Sequence, residues 1–256
     1  MSVQFDTIGS KYEEFKTTTP LPIPERHTFQ RLVGNLAGKR VLDLACGSGH
    51  YSRFLNTLGA EQVEGVDISA EMIQLAREFE EKHPVGLRYH VMDARALSLP
   101  GDYDLVTAVY LLNYAQTREE LRDMCLGAFN HLKPGGRFVA ITANPAFDLR
   151  RSNFTPYGVE ILSEQFEQGR HHCRARFLTE PPTPFEYFRW SADVYESAFA
   201  AAGFRDVAWH PFEFPQEAIT RFGEDFWREY RENSLVIGVS GQKDAGATRP
   251  LKAAPR

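Results

Sequence analysis

From Lys39 to Thr142 short apolar runs alternate with amphipathic stretches. Arg40-Val-Leu-Asp-Leu reads as a strand, and His50 to Gly59 as a helix ended by its glycine. Gln62-Val-Glu-Gly-Val reads as a second strand. Met72, Ile73, Leu75, Ala76 and Phe79 recur at helical spacing between Ser69 and Lys82, with Ser69 placed to cap the helix and Pro84 past its end. Leu87 to Met92 is a third strand and Asp104 to Val109 a fourth. Thr117 to Leu132 is a helix stopped by Lys133-Pro-Gly-Gly, and Arg137 to Thr142 is a fifth strand. Strands alternating with helices through short loops predict an α/β fold, a doubly wound parallel sheet with helices on both faces. Ligands of such sheets bind beyond the carboxyl ends of the strands.

After Thr142 the pattern changes. Residues 144–190 carry few helical signals and several prolines (Pro145, Pro156, Pro181, Pro182, Pro184). Fewer than about 50 residues hold no core alone, so this segment is expected to fold as an insert over the strand ends. Ser191 to Ala202 is a helix stopped by Gly203, and Phe204 to His210 and Ser234 to Ser240 are two final strands. Positions 177–230 hold 15 of the chain's 32 aromatic residues, most of which should be core. One domain over 1–241 with a disordered tail over 242–256 is expected. The tail has Gly, Ala and Pro but no apolar periodicity.

Charge narrows the partners. The net charge is −5, and the tail carries four bases against one acid, leaving the body more acidic still. An acidic body without a basic stripe argues against nucleic acid. No run approaches 18 apolar residues, so no membrane span is expected, and the start of the chain has no signal-peptide pattern. Cys46, Cys125 and Cys173 form no disulfide framework, so a cytoplasmic protein is the expectation. His171-His172-Cys173 lacks partners at ligand spacing, so no metal is expected. Whether the chain is a monomer or a homodimer is left open.

The strongest motif is Val41-Leu-Asp-Leu-Ala-Cys-Gly-Ser-Gly-His-Tyr-Ser52, a buried strand entering a glycine turn and then a helix. Gly47-x-Gly49 alone is a weak signal, because nicotinamide and flavin folds use similar turns. Two details argue for another ligand. The dinucleotide fingerprint has a third glycine where Ser52 stands, and Asp43 at the strand end would repel a diphosphate. An acid there suits a cation, and S-adenosylmethionine carries an ammonium and a sulfonium but no phosphate. Asp67 ends the second strand, 18 residues after Gly49, where an acid accepts from ribose hydroxyls. Asp93 ends the third strand, placed to accept from the adenine amine while the Ala94 amide donates to the ring. Ile68 and Met72 follow at a spacing that would sandwich a flat base. Each has a plainer reading: Asp43 and Asp93 as caps, Asp67 as an ordinary strand-end residue, Ile68 and Met72 as core, Cys46 as loop filler.

These residues together resemble the class I S-adenosylmethionine-dependent methyltransferases. Val41 to Gly49 is similar to the family's glycine-rich motif, with Ala45 replacing its more usual first glycine. Gly65-Val-Asp-Ile-Ser, Asp104-Leu-Val-Thr-Ala-Val and Leu132-Lys-Pro-Gly-Gly-Arg resemble the motifs of the later strands. The resemblance implies a seven-stranded Rossmann-like sheet of order 3-2-1-4-5-7-6, its last strand antiparallel. It also implies that the backbone near Ala45, Gly47 and Val109 holds the methionine end. Phe5 to Phe15 looks like the lid helix of small-molecule methyltransferases, which makes 1–24 a lid and sets Tyr12 toward the methionine carboxylate. The lid, Trp190 to Phe204 and Phe222-Gly-Glu-Asp-Phe-Trp-Arg-Glu-Tyr are similar to the azapteridine N-methyltransferases of toxoflavin biosynthesis.

The reading that follows is methyl transfer to a small planar heteroaromatic acceptor, at nitrogen, in secondary metabolism such as antibiotic or toxin biosynthesis. O-methylation of another small molecule is the alternative, and a nicotinamide oxidoreductase or a non-catalytic S-adenosylmethionine-binding module compete further off. Position along the sheet nominates Tyr110, Asn113, Tyr114, Asn144, Phe147, Asp148, Tyr157 and His172 for the acceptor pocket, with Phe185, Trp190 and Trp209 as stacking walls. No Asn/Asp-Pro-Pro-Tyr/Phe sequence follows strand four, where many nucleic-acid amino-methylating enzymes carry one; Tyr110-Leu-Leu-Asn stands there.

Overall fold

A computed structural model describes residues 9–246 of the chain. Two helices, Gly9–Thr18 (α1) and Pro22–Val33 (α2), precede the first strand, Arg40–Leu44 (β1). There follow His50–Thr57 (α3), Gln62–Asp67 (β2), Ala70–Lys82 (α4), Arg88–Val91 (β3), Tyr103–Val109 (β4), Arg118–His131 (α5) and Leu132–Ala143 (β5). After a three-stranded excursion come Ala192–Ala202 (α6), Arg205–His210 (β9), Gln216–Phe222 (α7), Glu224–Glu232 (α8) and Val236–Gln242 (β10). The excursion is Val159–Glu167 (β6), Arg170–Phe177 (β7) and Thr183–Trp190 (β8).

The central sheet has the order β3-β2-β1-β4-β5-β10-β9. β1 runs parallel to β2 and β4, and β10 runs antiparallel to both β5 and β9. That is the expected seven-stranded Rossmann-like order with one reversed strand. The period of two along β1 divides the core: Val41 packs with Phe29, Phe54 and Leu55 on one face, Leu42 and Leu44 with Leu121, Met124 and Phe199 on the other. Asp43 is the buried acid that this alternation turns toward the first face.

Local chemistry fixes the helix starts. The Ser69 side chain accepts from the Met72 amide, and the Thr117 side chain accepts from the Glu120 amide. α5 meets β5 without a gap. Tyr103 pairs with Leu132 and Leu105 with Arg137, so Lys133-Pro-Gly-Gly survives as a bulge inside the strand rather than as a turn before it.

The insert is a sheet, which the sequence pattern did not announce. β6, β7 and β8 pair antiparallel in that order. Cys173, Ala175, Phe177 and Tyr187 face inward, while Arg176–Glu160 and Arg174–Glu186 pair across the outer face.

The expected disordered tail begins too early. Lys243 is buried, and its Nζ donates to the carbonyls of Phe129 at 3.0 Å and Leu132 at 2.7 Å, tying down the end of α5. Residues 247–256 of that tail and residues 1–8 of the predicted lid lie outside the described residues. Among the described residues no helix is long and apolar enough to cross a membrane, and no group of three or more His, Cys, Asp or Glu side chains is arranged to hold a metal.

Candidate active site

The chain leaves β1 through three left-handed residues, Ala45 (φ 55°), Gly47 (φ 54°) and Gly49 (φ 86°). Ala45 stands where a glycine is more usual and adopts this conformation despite its Cβ. The two glycines serve different ends. A Cβ on Gly47 would have no protein atom within 4 Å, so the loop presents bare backbone to open space. A Cβ on Gly49 would collide with the Tyr89 hydroxyl. Gly49 caps α3 and does not line the cavity, so its predicted contact with the cofactor gives way to a packing role.

The three strand-end acids stand side by side, each in a different setting. Asp43 accepts from the Ser52 hydroxyl at 2.7 Å and the Thr107 hydroxyl at 2.8 Å. Burial, together with the nearby charge of Asp67, pushes its carboxyl up to about 6, against the pull of those two hydroxyls. Asp67 accepts from the Gly47 amide at 2.8 Å and the Ser69 amide at 2.9 Å, so it holds the glycine loop in place. Asp93 is gripped by Arg95, whose Nε lies 3.0 Å from both oxygens and whose Nη2 lies 2.6 Å from Oδ2. Burial raises Asp93, but the Arg95 fork outweighs it and holds the carboxyl below its ordinary value. Arg95 in turn reaches Glu120 at the start of α5.

All three acids open onto one cavity of about 540 Å³. Of the predicted cofactor residues, Tyr12, Ala45, Gly47, Ile68, Met72, Ala94 and Val109 also line it. Among the described residues no lysine or arginine lines it. A chamber with several carboxylates and no fixed cation suits a positively charged ligand and repels a diphosphate.

The remaining walls are aromatic. Tyr110, Asn113, Tyr114 and Phe185, nominated for the acceptor pocket, line the cavity, joined by Phe15, Phe177, Tyr187 and Phe188. Phe177 stacks on Phe185 with centroids 4.2 Å apart and lies 4.4 Å from Phe15 of α1, so the insert and α1 pack against each other at the cavity wall.

Seven predicted acceptor residues lie elsewhere. Asn144 turns its amide to the Ser234 carbonyl at 2.8 Å. Asp148 faces outward, paired with Arg150. Phe147 and Tyr157 belong to an aromatic core with Phe154, Trp227 and Tyr230. His172 sits between Glu167 and Glu186, outside the cavity. The Trp190 indole donates to the Ala115 carbonyl at 3.0 Å, and the Trp209 indole to Glu196 at 3.2 Å. Strand-end position alone nominated Asn144, Phe147 and Asp148, but the bend at Pro145 carries the chain away from the chamber.

Other residues of the site carried no recognised signal. Glu25, on α2, is wholly buried and accepts from Lys16, Tyr51 and Tyr110. Burial raises Glu25, but Lys16 and the hydroxyls of Tyr110 and Tyr51 together hold its carboxyl below the ordinary value. The network ties α1, α2, α3 and the end of β4 together beneath the cavity. Glu13 of α1 accepts from the Ser48 hydroxyl of the glycine loop and lies 3.5 Å from the His50 ring. Burial opposes its charge, yet Ser48, His50 and Arg53 hold it at about 2.

Comparison with known proteins settles the family. Residues 41–136 match the model of a methyltransferase domain. The ubiquinone biosynthesis O-methyltransferase of Burkholderia pseudomallei (strain 1710b) is 30% identical over 200 residues, covering 77% of this chain and 80% of that relative. The chain belongs to the class I S-adenosylmethionine-dependent methyltransferases. This methyltransferase shares its fold with the CcbJ methyltransferase of Streptomyces caelestis, at TM-score 0.65 and 23% identity over 94% of this chain and 98% of that one. CalS10, an amino pentose methyltransferase from Micromonospora echinaspora involved in calicheamicin biosynthesis, matches at TM-score 0.54 and 22% identity over 88% and 89%. The methyltransferase is thus an enzyme whose methyl donor is S-adenosylmethionine, and the nicotinamide reading falls away.

Proposed function

We propose that this methyltransferase methylates a small planar aromatic acceptor enclosed in the cavity, while the strand-end acids hold the donor. One observation carries the reading: a chamber of about 540 Å³, with no lysine or arginine among its described lining residues, joins the three strand-end carboxylates to walls of phenyl and phenol rings. Flat rings select a flat partner by offset stacking.

When bound, S-adenosylmethionine supplies a methyl group on a sulfonium leaving group. The chain's task is placement and electrostatics, and orientation alone contributes roughly 7–11 kcal/mol. Asp67 takes the ribose hydroxyls, Asp93 and the Ala94 amide the adenine, and Ile68 and Met72 its faces. Asp43, Ala45, Gly47 and Val109 surround the methionine end, with Tyr12 closing over it.

Nitrogen of a heteroaromatic ring, in a secondary-metabolic product, is the acceptor atom we favour. Burial raises the phenols of Tyr110 and Tyr114, so neither serves as a base near neutral pH. A ring nitrogen or conjugated anion needs no base. The Burkholderia relative, an O-methyltransferase in ubiquinone biosynthesis, favours a second reading. His50 lines the cavity and is oriented by Glu13, which suits a general base for a hydroxyl acceptor.

The test is methyl transfer from [methyl-13C]S-adenosylmethionine to lumazine, quinolin-2(1H)-one, catechol and 3,4-dihydroxybenzoate, with the labelled atom located by long-range proton–carbon NMR. Label on ring nitrogen supports the first reading and label on oxygen the second. Transfer to a flexible aliphatic amine or sugar, with all four planar compounds untouched, would overturn both.

A further inference from the structure

Arg95 follows the third strand-end acid in the loop that leaves β3. It grips that acid with most of its head group. Its Nε lies 3.0 Å from both Asp93 oxygens, its Nη2 lies 2.6 Å from Oδ2, and its backbone amide donates to Oδ1 at 2.9 Å. The remaining arm, Nη1, donates to Glu120 Oε1 at 2.6 Å in the first turn of α5. Glu120 is itself fixed on both sides. Its amide donates to the Thr117 hydroxyl at 3.1 Å, and its Oε2 accepts from the Gln116 amide at 2.8 Å.

α5 meets the same loop a second time, about two turns further on. A Cβ on Gly127 would collide with the Ala94 carbonyl oxygen, so the helix backbone itself comes up against Ala94. Asp93 and Ala94 are thus both held in place by α5, one through Arg95 and Glu120, the other through Gly127. A carboxylate offers about four lone-pair sites. The Arg95 amide, Nε and Nη2 take three of them, which leaves Asp93 about one hydrogen bond to accept from a ligand, in one direction. The Asp93 side chain borders the cavity and keeps 27% of its surface open.

We infer that Arg95 is a positioning residue for the methyl donor: by holding the Asp93 carboxylate in one orientation, it makes the site demand the exocyclic amine of adenine. This rests on reading Asp93 and the Ala94 amide as the adenine contacts. Hypoxanthine inverts both partners, since its carbonyl opposes the carboxylate and its ring N–H opposes the Ala94 amide. A carboxylate free to rotate would swing away from that carbonyl. One held by a guanidinium fork and anchored to α5 stays, so the mismatch is felt in full.

The test is calorimetric titration of the full chain with S-adenosylhomocysteine and S-inosylhomocysteine, which differ only at the purine edge. Wild type should prefer the adenosyl compound by about tenfold or more. Asp93→Ala should remove most of that preference. Arg95→Met should remove most of it too, although the acid is still present, and the double variant should lose little beyond Asp93→Ala alone. A residue that only braced the fold would weaken both ligands together and leave their ratio unchanged. Arg95→Lys, which meets one carboxylate oxygen at a time, should fall between wild type and Arg95→Met. A wild-type ratio in Arg95→Met, or losses that add in the double variant, would overturn the inference. Should Arg95→Met fail to fold, Arg95→Lys decides: a ratio lowered by about threefold or more supports the inference, and an unchanged ratio overturns it. Equal affinity of wild type for the two ligands would instead overturn the placement of adenine at Asp93.

Discussion

The Ser52 hydroxyl donates to Asp43 Oδ2 at 2.7 Å across the first turn of α3. Ser52 occupies the place of the third glycine of a dinucleotide-binding turn. Here that place supplies a donor, which together with Thr107 keeps a carboxyl in a buried position at the strand end. The two hydroxyls only partly offset burial, and Asp43 stays at about 6, well above its ordinary 3.8.

That shift has a sign. A carboxyl raised on folding binds its proton more tightly in the folded state, so its favourable contribution is complete below about 3.8 and is lost as pH rises through about 6. Above that, the charge costs the free enzyme about 3 kcal/mol. Asp43→Asn should therefore raise the melting temperature at pH 7.5 and leave it unchanged near pH 3.5. The same substitution should weaken S-adenosylmethionine binding, and wild-type affinity should fall as pH drops through about 6. Thermal melts at the two pH values and titrations across the range check both.

The two loop glycines should separate experimentally. Gly47→Val adds atoms where no protein atom stands within 4 Å, so the fold should survive with the modest strain of a positive φ while donor affinity collapses. Gly49→Ala should lose about 1–3 kcal/mol of stability, because the new methyl meets Tyr89 and the backbone is left-handed. Tyr89→Phe should restore part of that loss. Urea denaturation alongside S-adenosylhomocysteine titration distinguishes the two behaviours.

Lys16 of α1 and Glu25 of α2 form a fully buried ion pair, with Tyr51 and Tyr110 donating to the same carboxylate. Lys16→Met strands the Glu25 charge and should cost about 3–5 kcal/mol. The double substitution Lys16→Met, Glu25→Gln should recover most of it, since the charge is then gone from both sides. A double-mutant cycle by denaturation measures the difference. Equal losses in the single and double variants would contradict this reading of the network.

The central sheet was legible in the sequence because each strand and helix is bounded by local chemistry. Ser69 and Thr117 cap their helices, Gly203 ends another, and the apolar runs of β1, β2 and β4 have no rival reading. The three acids were legible for the same reason, since a strand end fixes where its last side chain stands. The insert was not. Its strands interleave Glu160, Arg174, Arg176 and Glu186 with inward apolar residues, and its partners are set by pairing across the insert rather than by local signals. The acceptor candidates failed where the chain bends out of the sheet: Asn144 and Asp148 follow β5 in sequence, yet their side chains go to Ser234 and Arg150. Glu25 lay beyond sequence reasoning, because its three donors come from three separate segments.

The relation of Asp67 to the donor tests the site most directly. Calorimetric titration of S-adenosylhomocysteine into wild type and a folded Asp67→Ala variant should show a loss of about 1.5–3 kcal/mol, roughly ten- to hundredfold, since both the ribose contact and the anchor of the Gly47 amide disappear. Wild-type affinity in that variant would contradict the assignment of the donor to the strand-end acids.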